Sequence, residues 1–501
     1  MNRPPYSETS SFALSGGSDV SGAPQSKRTQ LSNFLLSKMT VPIPLKIAYI
    51  GGGSRDWARK LMVDLALCPE LTGEVALYDI DMESARLNEE LGNKIGGQSG
   101  VLSRWHYVAV PALKDALEGA DFVLISIQPG TLEVMAEEIA LAEDYGLFFP
   151  VGDTTGAPGL MRGLRSVPIY RDFAEALATF CPNAWVINYS NPMSICTRTL
   201  TRVAPQLKVF GCCHEVFWIQ DMLARLVSQY LGVEVPPRSE IQVNVLGINH
   251  FTWLDRAIYQ GHDLLDLLKH HLEQPDTLRT FTQEEVESWN DWFYSADQVK
   301  FALFQRFGIL PAAGDRHLVE FLAGFIHSPE TLFKWGVIRT PVSWRIERWS
   351  TAPQKTRELI NGTTPLALEP SGEAGVSMIK ALLGLGDLVT NVNMENIGQI
   401  SNMPLRAVVE TNAHFSRGAV RPVAAGELPA GIAPLVNQHS ANQALIIEAA
   451  LTENTDLAFQ AFFNDPTNRL PVDTAWELFN KMLQANREYL PSMATANRIP
   501  S

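Results

Sequence analysis

The sequence predicts an α/β fold in which a Rossmann-type doubly wound sheet is followed by an α+β catalytic domain. From Lys46 onward, short β-rich segments that are apolar throughout alternate with helical patterns, as they do where helices cover both faces of a parallel sheet. The first of these segments ends in a glycine-rich turn. Beyond about Leu264 helical periodicity dominates, which indicates a second region of different architecture.

Six β-rich segments carry this prediction. In chain order they are KIAYIGGG at 46–53, EVALYDID at 74–81, DFVLISIQ at 121–128, AWVINYSNP at 184–192, KVFGCCHEV at 208–216 and IQVNVLGINHFTW at 241–253. Helices are predicted from Trp57 to Leu67, from Met82, and from about Val472 to Tyr489. The repeated order of strand, helix and strand is the one that a doubly wound sheet requires.

The composition indicates small-molecule chemistry. The 501 residues are 46% hydrophobic and 19% charged, which suits a large core in two domains or one extended double domain. The 54 acidic and 40 basic side chains give a formal net charge of −14. No broad positive field is therefore available for nucleic acid or for an anionic membrane, and we expect neither as a partner.

The first 44 residues are predicted to form a disordered tail. They are rich in Ser, Gly and Pro and contain no sustained apolar run, so packing cannot offset the entropy lost on ordering. We find neither a secretory signal nor a membrane-spanning segment in the sequence. Five cysteines, an odd number, indicate reduced thiols rather than a disulfide framework. A cytoplasmic protein is therefore expected.

The turn after the first strand has the character of a dinucleotide-binding loop. Gly51, Gly53 and Ser54 open a helix, where glycines let a pyrophosphate approach and the helix N-terminus supplies N–H donors. Asp79 ends the second strand and can take ribose hydroxyls, which favours NAD over NADP. Asp56 replaces the usual third glycine. A glycine-rich turn closed by an acidic cap is therefore the alternative interpretation.

Polar side chains follow two further strands of the predicted sheet. Gln128 and Asn191 both lie at its carboxyl edge, where open α/β sheets bind their ligands. Each stands beside a proline, so an ordinary capping loop is the alternative explanation. Two such loops on one edge favour a binding site.

Cys213 and His250 each follow a strand and are candidate metal ligands. Thiolate and imidazole suit a divalent transition ion. His214 directly follows Cys213, but neighbouring side chains of a strand point to opposite faces, so we do not expect both to bind one ion. A buried thiol beside a capped imidazole is the alternative interpretation.

Taken together, the motifs resemble those of glycoside hydrolase family 4. They run in order from about residue 46 to residue 490: GGGS with LYDID, GDTTGAPGLMRGLRSVPIY at 152–170, INYSNPMSICTR at 187–198, CCHEV at 212–216, GINHFTWL at 247–254, PAAGDRHLVEF at 311–321 and GQISNMPLRAVVE at 398–410. The resemblance implies NAD and a divalent metal, usually Mn²⁺, as cofactors, and a fold like that of lactate and malate dehydrogenases.

We divide the chain on this basis into the tail at 1–44, an NAD-binding Rossmann domain at 45–200 and a catalytic, metal-binding α+β domain with C-terminal helices at 201–495. A homodimer or homotetramer is expected.

The resemblance also implies roles for individual residues. Cys213 and His250 match the metal ligands of the family. Asn191 and Asp153 match residues that contact the sugar, with Asp153 near the nicotinamide as well. His214 stands where relatives carry the group that protonates the leaving oxygen.

The implied reaction explains why a glycosidase needs NAD. Transient hydride transfer from C3 creates a ketone, which makes the neighbouring C2 proton acidic. A base removes that proton, elimination expels the O1 group, water adds, and the hydride returns, so NAD is regenerated. Some subfamilies use a Tyr as the base, whereas this sequence offers Asp315 in its GDRH segment, with His317 or a tyrosine of the helical region as the next candidates.

The CHEV motif, which includes Glu215, resembles that of the α-galacturonidase subgroup, and an oligogalacturonide or related α-glycoside is the expected substrate. Glu215 is therefore a candidate substrate contact. A uronate carboxylate calls for a guanidinium group. Arg316 is the first candidate, and Arg162 and Arg165 are others; ordinary surface arginines are the alternative interpretation.

Other activities remain open at this point. Within the family, α-glucuronidase, α-galactosidase and α-glucosidase are the alternatives. An NAD-dependent hydroxy-acid or polyol dehydrogenase would need a base but no elimination, and would release NADH. A dinucleotide-binding sensor would need the fold but not the set formed by Cys213, His250, Asn191 and Asp153. The tryptophans of the second region are assigned no role in the site.

Overall fold

The computed structural model describes residues 41–289 and 291–495. Residues 1–40 of the predicted tail lie outside the described residues. The last two residues assigned to that tail, 43 and 44, already belong to the first strand, β1 (Ile43–Ile50), which opens the compact unit that begins at Ile43.

The first region follows the predicted alternation, except that the strand at 105–110 was not among the predicted segments. After β1 come α1 (Trp57–Ala66), β2 (Leu71–Tyr78), α2 (Met82–Ile95), β3 (Trp105–Val110), α3 (Leu113–Leu117), β4 (Phe122–Ile125), α4 (Leu132–Asp144), α5 (Gly156–Phe180), β5 (Trp185–Asn188), α6 (Met193–Val203) and β6 (Lys208–Gly211).

The second region is mainly helical. It contains α7 (Glu215–Leu231), β7 (Gln242–Ile248), β8 (Phe251–Tyr259), β9 (His262–Asp263), α8 (Leu264–Leu272), α9 (Gln283–Ser288), α10 (Gln298–Phe307), β10 (Leu310–Pro311), α11 (Asp315–Leu318), α12 (Pro329–Lys334), α13 (Val342–Asn361), α14 (Gly375–Leu382), β11 (Leu388–Glu395), β12 (Val408–Ser416), β13 (Ala419–Pro422), α15 (Ala433–Leu451), α16 (Thr455–Asn464), α17 (Val472–Ala485) and α18 (Pro491–Thr495). Short 3₁₀ turns lie at Arg238–Glu240 and Val319–Phe321.

The main sheet confirms the predicted Rossmann-type doubly wound fold. Within the described part of the chain it has nine strands in the order β13-β12-β11-β6-β5-β4-β1-β2-β3. The run from β3 to β6 is parallel throughout and has the strand order of dinucleotide-binding folds. The predicted domain boundary near residue 200 falls between β5 and β6, which are neighbours in this sheet.

Burial on both faces explains the continuous apolar strands of the first region. In β1, Ile47 and Tyr49 pack into one hydrophobic cluster, and Ala48 and Ile50 pack into another. Successive side chains of a strand point to opposite faces, so each residue of β1 meets a different layer of helices. The four side chains are at most 2% exposed.

Three antiparallel strands of the second region complete the sheet. β11 pairs with β6 through Asn393 and Gly211, and β12 and β13 follow it at the edge. A smaller antiparallel sheet is formed by β10, β8 and β7, with β9 paired to β8. The segment 241–253, predicted as one strand, therefore turns back on itself at Asn249 and His250, between β7 and β8.

The last long helix follows the prediction closely. α17 ends at Ala485, slightly before the expected end at Tyr489, and buries one stripe of residues: Ala475, Leu478, Phe479, Met482 and Leu483. None of the helices in the two described ranges combines the length and the apolar character needed to cross a bilayer.

Candidate active site

Three side chains from separate elements meet near the carboxyl edge of the main sheet. Asp153 lies in the loop before α5, His250 in the turn between β7 and β8, and His317 in α11, and their potential ligand atoms all lie within 4.8 Å of one another. The two imidazole rings are 3.8 Å apart between centroids. We call these three residues the Asp-His-His cluster. Asp153 and His250 were predicted site residues, and His317 was a secondary candidate for the base.

The β-hairpin turn holds His250 in an unusual conformation. Its φ is +62°, in the left-handed region that residues other than glycine seldom adopt. Burial, with a contribution from His317, lowers the pKa of His250 to about 3. The imidazole is therefore neutral at neutral pH, which is the form that binds a metal ion.

Thr154 sets the orientation of two members of the cluster. Its hydroxyl donates to Asp153 Oδ1 at 2.7 Å and lies 2.9 Å from His250 Nδ1. A hydroxyl has one proton, so an Oγ that donates to the carboxylate accepts from Nδ1–H, and Nε2 of His250 keeps its lone pair. Carboxylate oxygen and imidazole nitrogen together form a donor set that fits a divalent transition ion.

Cys213, the other predicted ligand, lies beside the cluster rather than within it. Burial, together with the charge of Glu410, raises the pKa of its thiol well above the ordinary value. Its backbone carbonyl accepts a hydrogen bond from Asn391 Nδ2 at 3.2 Å. A thiol in this setting is protonated until a metal displaces the proton, and its role as a ligand stays a prediction.

Glu215 connects α7 to the segment that carries His317. Its carboxylate accepts the backbone N–H of Gly314, and its Oε1 lies 4.0 Å from His317 Nε2 and 3.9 Å from His214 Nε2. Burial opposes ionisation of Glu215, but the neighbouring histidines lower its pKa to about 2. Glu215 is thus a half-buried anion that lies near both imidazoles.

His214 lies at the open side of the site. Its side chain is 31% exposed, and its ring stands 5.6 Å from that of Trp57 and 6.1 Å from that of the exposed Trp218. The imidazole therefore faces both the interior of the site and the solvent.

Arg162 brings two predicted residues together. Its Nε donates to the backbone carbonyl of Asn191 at 3.0 Å, and a terminal nitrogen donates to Gln128 Oε1 at 2.9 Å. Asn191 Oδ1 and Gln128 Nε2 are buried and have no hydrogen-bond partner among the described residues. These two atoms are available to a ligand at the sheet edge.

Asp153 is strongly ionised. Burial opposes its negative charge, but His317, Arg162, His250 and Arg345 together hold the pKa of this carboxyl well below its ordinary value. The two arginines among these groups come from different regions of the chain.

The glycine loop, residues 51–54, has the geometry that a pyrophosphate requires. Gly51 has φ +91°, and a Cβ there would lie 2.0 Å from the Ser126 carbonyl oxygen. Gly53 donates its N–H to Asp79 Oδ2 at 2.8 Å. No side chain caps the N-terminus of α1, so its first N–H groups are available to an anion. Ile80, directly after Asp79, is 96% exposed and offers an apolar surface.

Asp315, the predicted base, is occupied by structural contacts. It is 1% exposed, its Oδ1 lies 2.9 Å from Lys300 Nζ, and its two oxygens accept the backbone N–H groups of Val299 and Lys300. Both carboxylate oxygens are therefore engaged at the start of α10. Its role as the base stays a prediction that this setting does not favour.

The other predicted arginines have partners of their own. Arg165 forms a buried ion pair with Glu138. Arg316 donates to the Thr340 hydroxyl, and its guanidinium carbon lies 4.9 Å from the centroid of the Phe293 ring.

Sequence reasoning missed three residues that shape the site. Thr154 was overlooked beside the chemically more conspicuous Asp153. Glu320 accepts the N–H groups of Val151 and Gly152, at 2.6 and 2.8 Å, and so holds the loop that carries Asp153. Arg345 lies in a helix outside every recognised motif. The position of Glu320 in the PAAGDRHLVEF motif was a signal that could have identified it. No sequence motif pointed to Arg345.

Family models match most of the chain. The model described as family 4 glycosyl hydrolase matches residues 46–229, and the model for the C-terminal domain of the same family matches residues 245–468. An α-galacturonidase of Bacillus subtilis is 49% identical over 446 residues, which cover 88% of this chain and 97% of that protein.

Solved structures share the fold. A Bacillus subtilis protein described as a putative glucosidase has a TM-score of 0.82 and 46% identity, covering 88% of this chain and 100% of its own. A 6-phospho-α-glucosidase from gut microorganisms, solved with NAD and Mn²⁺, has a TM-score of 0.73 at 22% identity and covers 89% of this chain and 99% of its own.

Proposed function

The chain belongs to family 4 of the glycosyl hydrolases, and on that premise we propose that it is an α-galacturonidase, which releases galacturonic acid from α-glycosides. The similarity to a curated α-galacturonidase over nearly the whole of both chains carries the proposal. Arg162 and Arg345, two of the groups that lower the pKa of Asp153, support it, because a uronic acid differs from a neutral sugar by one negative charge.

NAD and a divalent metal such as Mn²⁺ are the proposed cofactors. When bound, NAD supplies reversible hydride transfer at C3, and the metal polarises the oxygens on C2 and C3. The glycine loop would hold the pyrophosphate, and Asp79 would take a ribose hydroxyl. His250 and Cys213 would hold the metal, with Asp153 beside them.

The chain's own residues divide the proton transfers. His214 is the proposed acid for the leaving oxygen, because its side chain reaches solvent and its Nε2 lies 3.9 Å from the Glu215 carboxylate. His317 is the proposed base. Burial lowers its pKa, so at neutral pH it is uncharged and can accept the C2 proton.

The substrate is tested with matched glycosides. Aryl α-galacturonide, α-galactoside and α-glucuronide, together with digalacturonate, are assayed in the presence of NAD, Mn²⁺ and a reductant. We expect the galacturonides to be cleaved fastest, with no net accumulation of NADH because the hydride returns. A preference for the galactoside or the glucuronide would contradict the proposed substrate, and NADH formed in proportion to product would indicate a dehydrogenase.

The choice of base is tested in deuterated water. Removal of the C2 proton should place deuterium at C2 of the released sugar. His317→Asn should slow the labelling and leave Mn²⁺ affinity nearly unchanged, whereas Asp315→Asn should lower thermal stability, because Lys300 loses its buried partner. Loss of Mn²⁺ binding in His317→Asn would make His317 a metal ligand instead.

We also propose that the enzyme works in the cytoplasm as a homodimer or homotetramer. All five cysteines are free thiols, which suits a reducing compartment. Light scattering after size exclusion measures the oligomeric state.

A further inference from the structure

The first turn of α13 carries a guanidinium group that the proposed reaction does not use. Arg345 is half-buried, and one terminal nitrogen reaches the Val151 carbonyl oxygen at a long 3.4 Å. Its Nε is buried and has no hydrogen-bond partner among the described residues. Val151 lies two residues before Asp153, so this guanidinium borders the Asp-His-His cluster.

We propose that Arg345 is the residue that receives the substrate's carboxylate and so determines the preference for a uronic acid over the neutral sugar. The inference rests on the proposed function. A carboxylate binds a guanidinium through two parallel N–H groups. The unpartnered Nε and the loosely held terminal nitrogen of Arg345 are a pair of that kind.

Three other arginines of the described ranges also have a buried Nε without a hydrogen-bond partner, namely Arg55, Arg165 and Arg339. Unlike Arg345, each of them forms an ion pair, with Asp81, Glu138 and Glu143 respectively. Arg345 has no carboxylate within ion-pair distance among the described residues. It is a charge held at the site without a protein counter-ion in direct contact.

The charge balance around the cluster points the same way. Three guanidinium groups, Arg162, Arg316 and Arg345, act on the space around Asp153. The carboxyl groups nearest to them are Asp153, Glu215 and Glu320. None of the three lies within ion-pair distance of Arg345, so no carboxylate of the described residues neutralises this guanidinium group by direct contact.

Glu320, the third carboxyl group nearby, does not supply a counter-charge for Arg345. Burial, with Asp153 close by, raises its pKa to about 8, so it is mostly protonated at neutral pH. Its Oε1 is taken by two backbone N–H groups. Its contacts are thus with the backbone of the loop that carries Asp153, and Arg345 is left without a direct partner from this side chain.

The remaining guanidinium groups are less suited to receive the substrate's carboxylate. Arg162 is committed to Asn191 and Gln128. Arg316 donates to the Thr340 hydroxyl and lies over the Phe293 ring, so it adds positive potential while part of its donor edge is engaged.

The test compares two substrates that differ only at C6, an aryl α-galacturonide and the matching aryl α-galactoside. Arg345→Met should lower kcat/KM for the galacturonide by about 100-fold, the value of a buried charge-assisted pair of hydrogen bonds, and should lower kcat/KM for the galactoside much less, so that the ratio of the two values falls. Arg345→Lys, which keeps the charge but not the paired donors, should lose roughly tenfold. Free galacturonate, measured against galactose, should inhibit the wild type most strongly, Arg345→Lys less and Arg345→Met least.

Arg357→Met is the matched control. Arg357 lies on the same helix but is exposed and pairs with Glu83, so the substrate preference should not change. Thermal unfolding is measured for each variant, and Arg345→Lys serves if Arg345→Met does not fold. A wild-type enzyme that prefers the galactoside would remove both the proposed function and this inference. A wild-type preference for the galacturonide that survives in Arg345→Met would remove only the inference.

Discussion

The glycine loop draws its chemistry from one short stretch of chain, between Gly51 and Asp79, and presents mainly backbone N–H groups. The Asp-His-His cluster draws on three distant elements and presents side chains. A binding loop made of backbone N–H groups depends on local conformation, which is determined largely by its glycines and by the helix that begins after it. A side-chain cluster depends on the whole fold being in place. The two regions should therefore respond differently to substitution.

His250→Ala should have the largest effect of the substitutions that separate the two regions. We expect turnover to fall by roughly 1000-fold or more, since a metal contributes several kcal/mol to the stabilisation of developing charge. NAD affinity, measured by fluorescence titration, should be nearly unchanged. If NAD affinity falls in parallel with turnover, the two regions are not independent.

Cys213→Ser tests the second predicted ligand by the same comparison. Titration with Mn²⁺ should show weaker binding, because a hydroxyl is a poorer ligand than a thiolate. Wild-type activity at low Mn²⁺ concentration would exclude Cys213 as a ligand.

Gly51→Ala should produce the opposite pattern. The added Cβ meets the Ser126 carbonyl oxygen at 2.0 Å in a backbone with φ +91°, so we expect a loss of roughly 3 kcal/mol in the free energy of unfolding together with weaker NAD binding. Mn²⁺ affinity of the folded fraction should be retained.

The control for this substitution is Gly261→Ala. Gly261 has nearly the same φ, +88°, but open space around its Cα, so only the conformational strain remains. Equal destabilisation of the two variants would mean that the close approach to Ser126 contributes nothing.

Glu320→Gln should sharpen the comparison through pH. The pKa of Glu320 is raised to about 8, so the native state keeps a proton that the unfolded chain releases above its ordinary pKa. Wild-type stability is therefore lost as the pH rises from about 4.5 to 8, and the variant should gain on the wild type by roughly 4 kcal/mol over that range. Denaturant unfolding at pH 5 and pH 8 measures the difference, with the exposed Glu330→Gln as control. A difference that does not depend on pH would show that Glu320 is ionised in the native state.

Thr154→Val should give the smallest effect. It removes the hydroxyl that orients Asp153 and His250, and residues that orient metal ligands are worth roughly tenfold or more in metal affinity. Thr154→Ser keeps the hydroxyl and should restore Mn²⁺ binding. Failure of serine to restore it would mean that the methyl group, through packing, is what matters.

The contrast between the two regions also explains what the sequence could predict. Most strands of the first region are apolar throughout because both faces are buried, so they and the position of Gly51 and Asp79 followed from pattern alone. The edge strand β3, with His106 exposed, was missed. Asp153 and His250 were identified from motifs. The antiparallel return of β11 to β6 has no comparable signature, because edge strands with one exposed face resemble many others.

The remaining site residues could not be found from the sequence for a physical reason. Thr154 and Arg345 act through contacts with side chains or backbone far away in the chain, and a single threonine or arginine has no distinctive local pattern. Asp315 was chosen for its chemistry, but its contacts with Lys300 show that a carboxylate can serve to anchor a helix instead.

The pairing of β11 with β6 has a consequence for how the chain folds. Gly211 ends the parallel run early in the chain, and its partner Asn393 is synthesised far later. Until then, β6 is an open edge with unpaired backbone groups, which can recruit a strand from another molecule. Contacts so distant in sequence also slow folding. The strands β11 to β13 thus cover the open edge of the sheet only after most of the chain has been synthesised. A chain truncated before β11 should therefore aggregate rather than stay soluble.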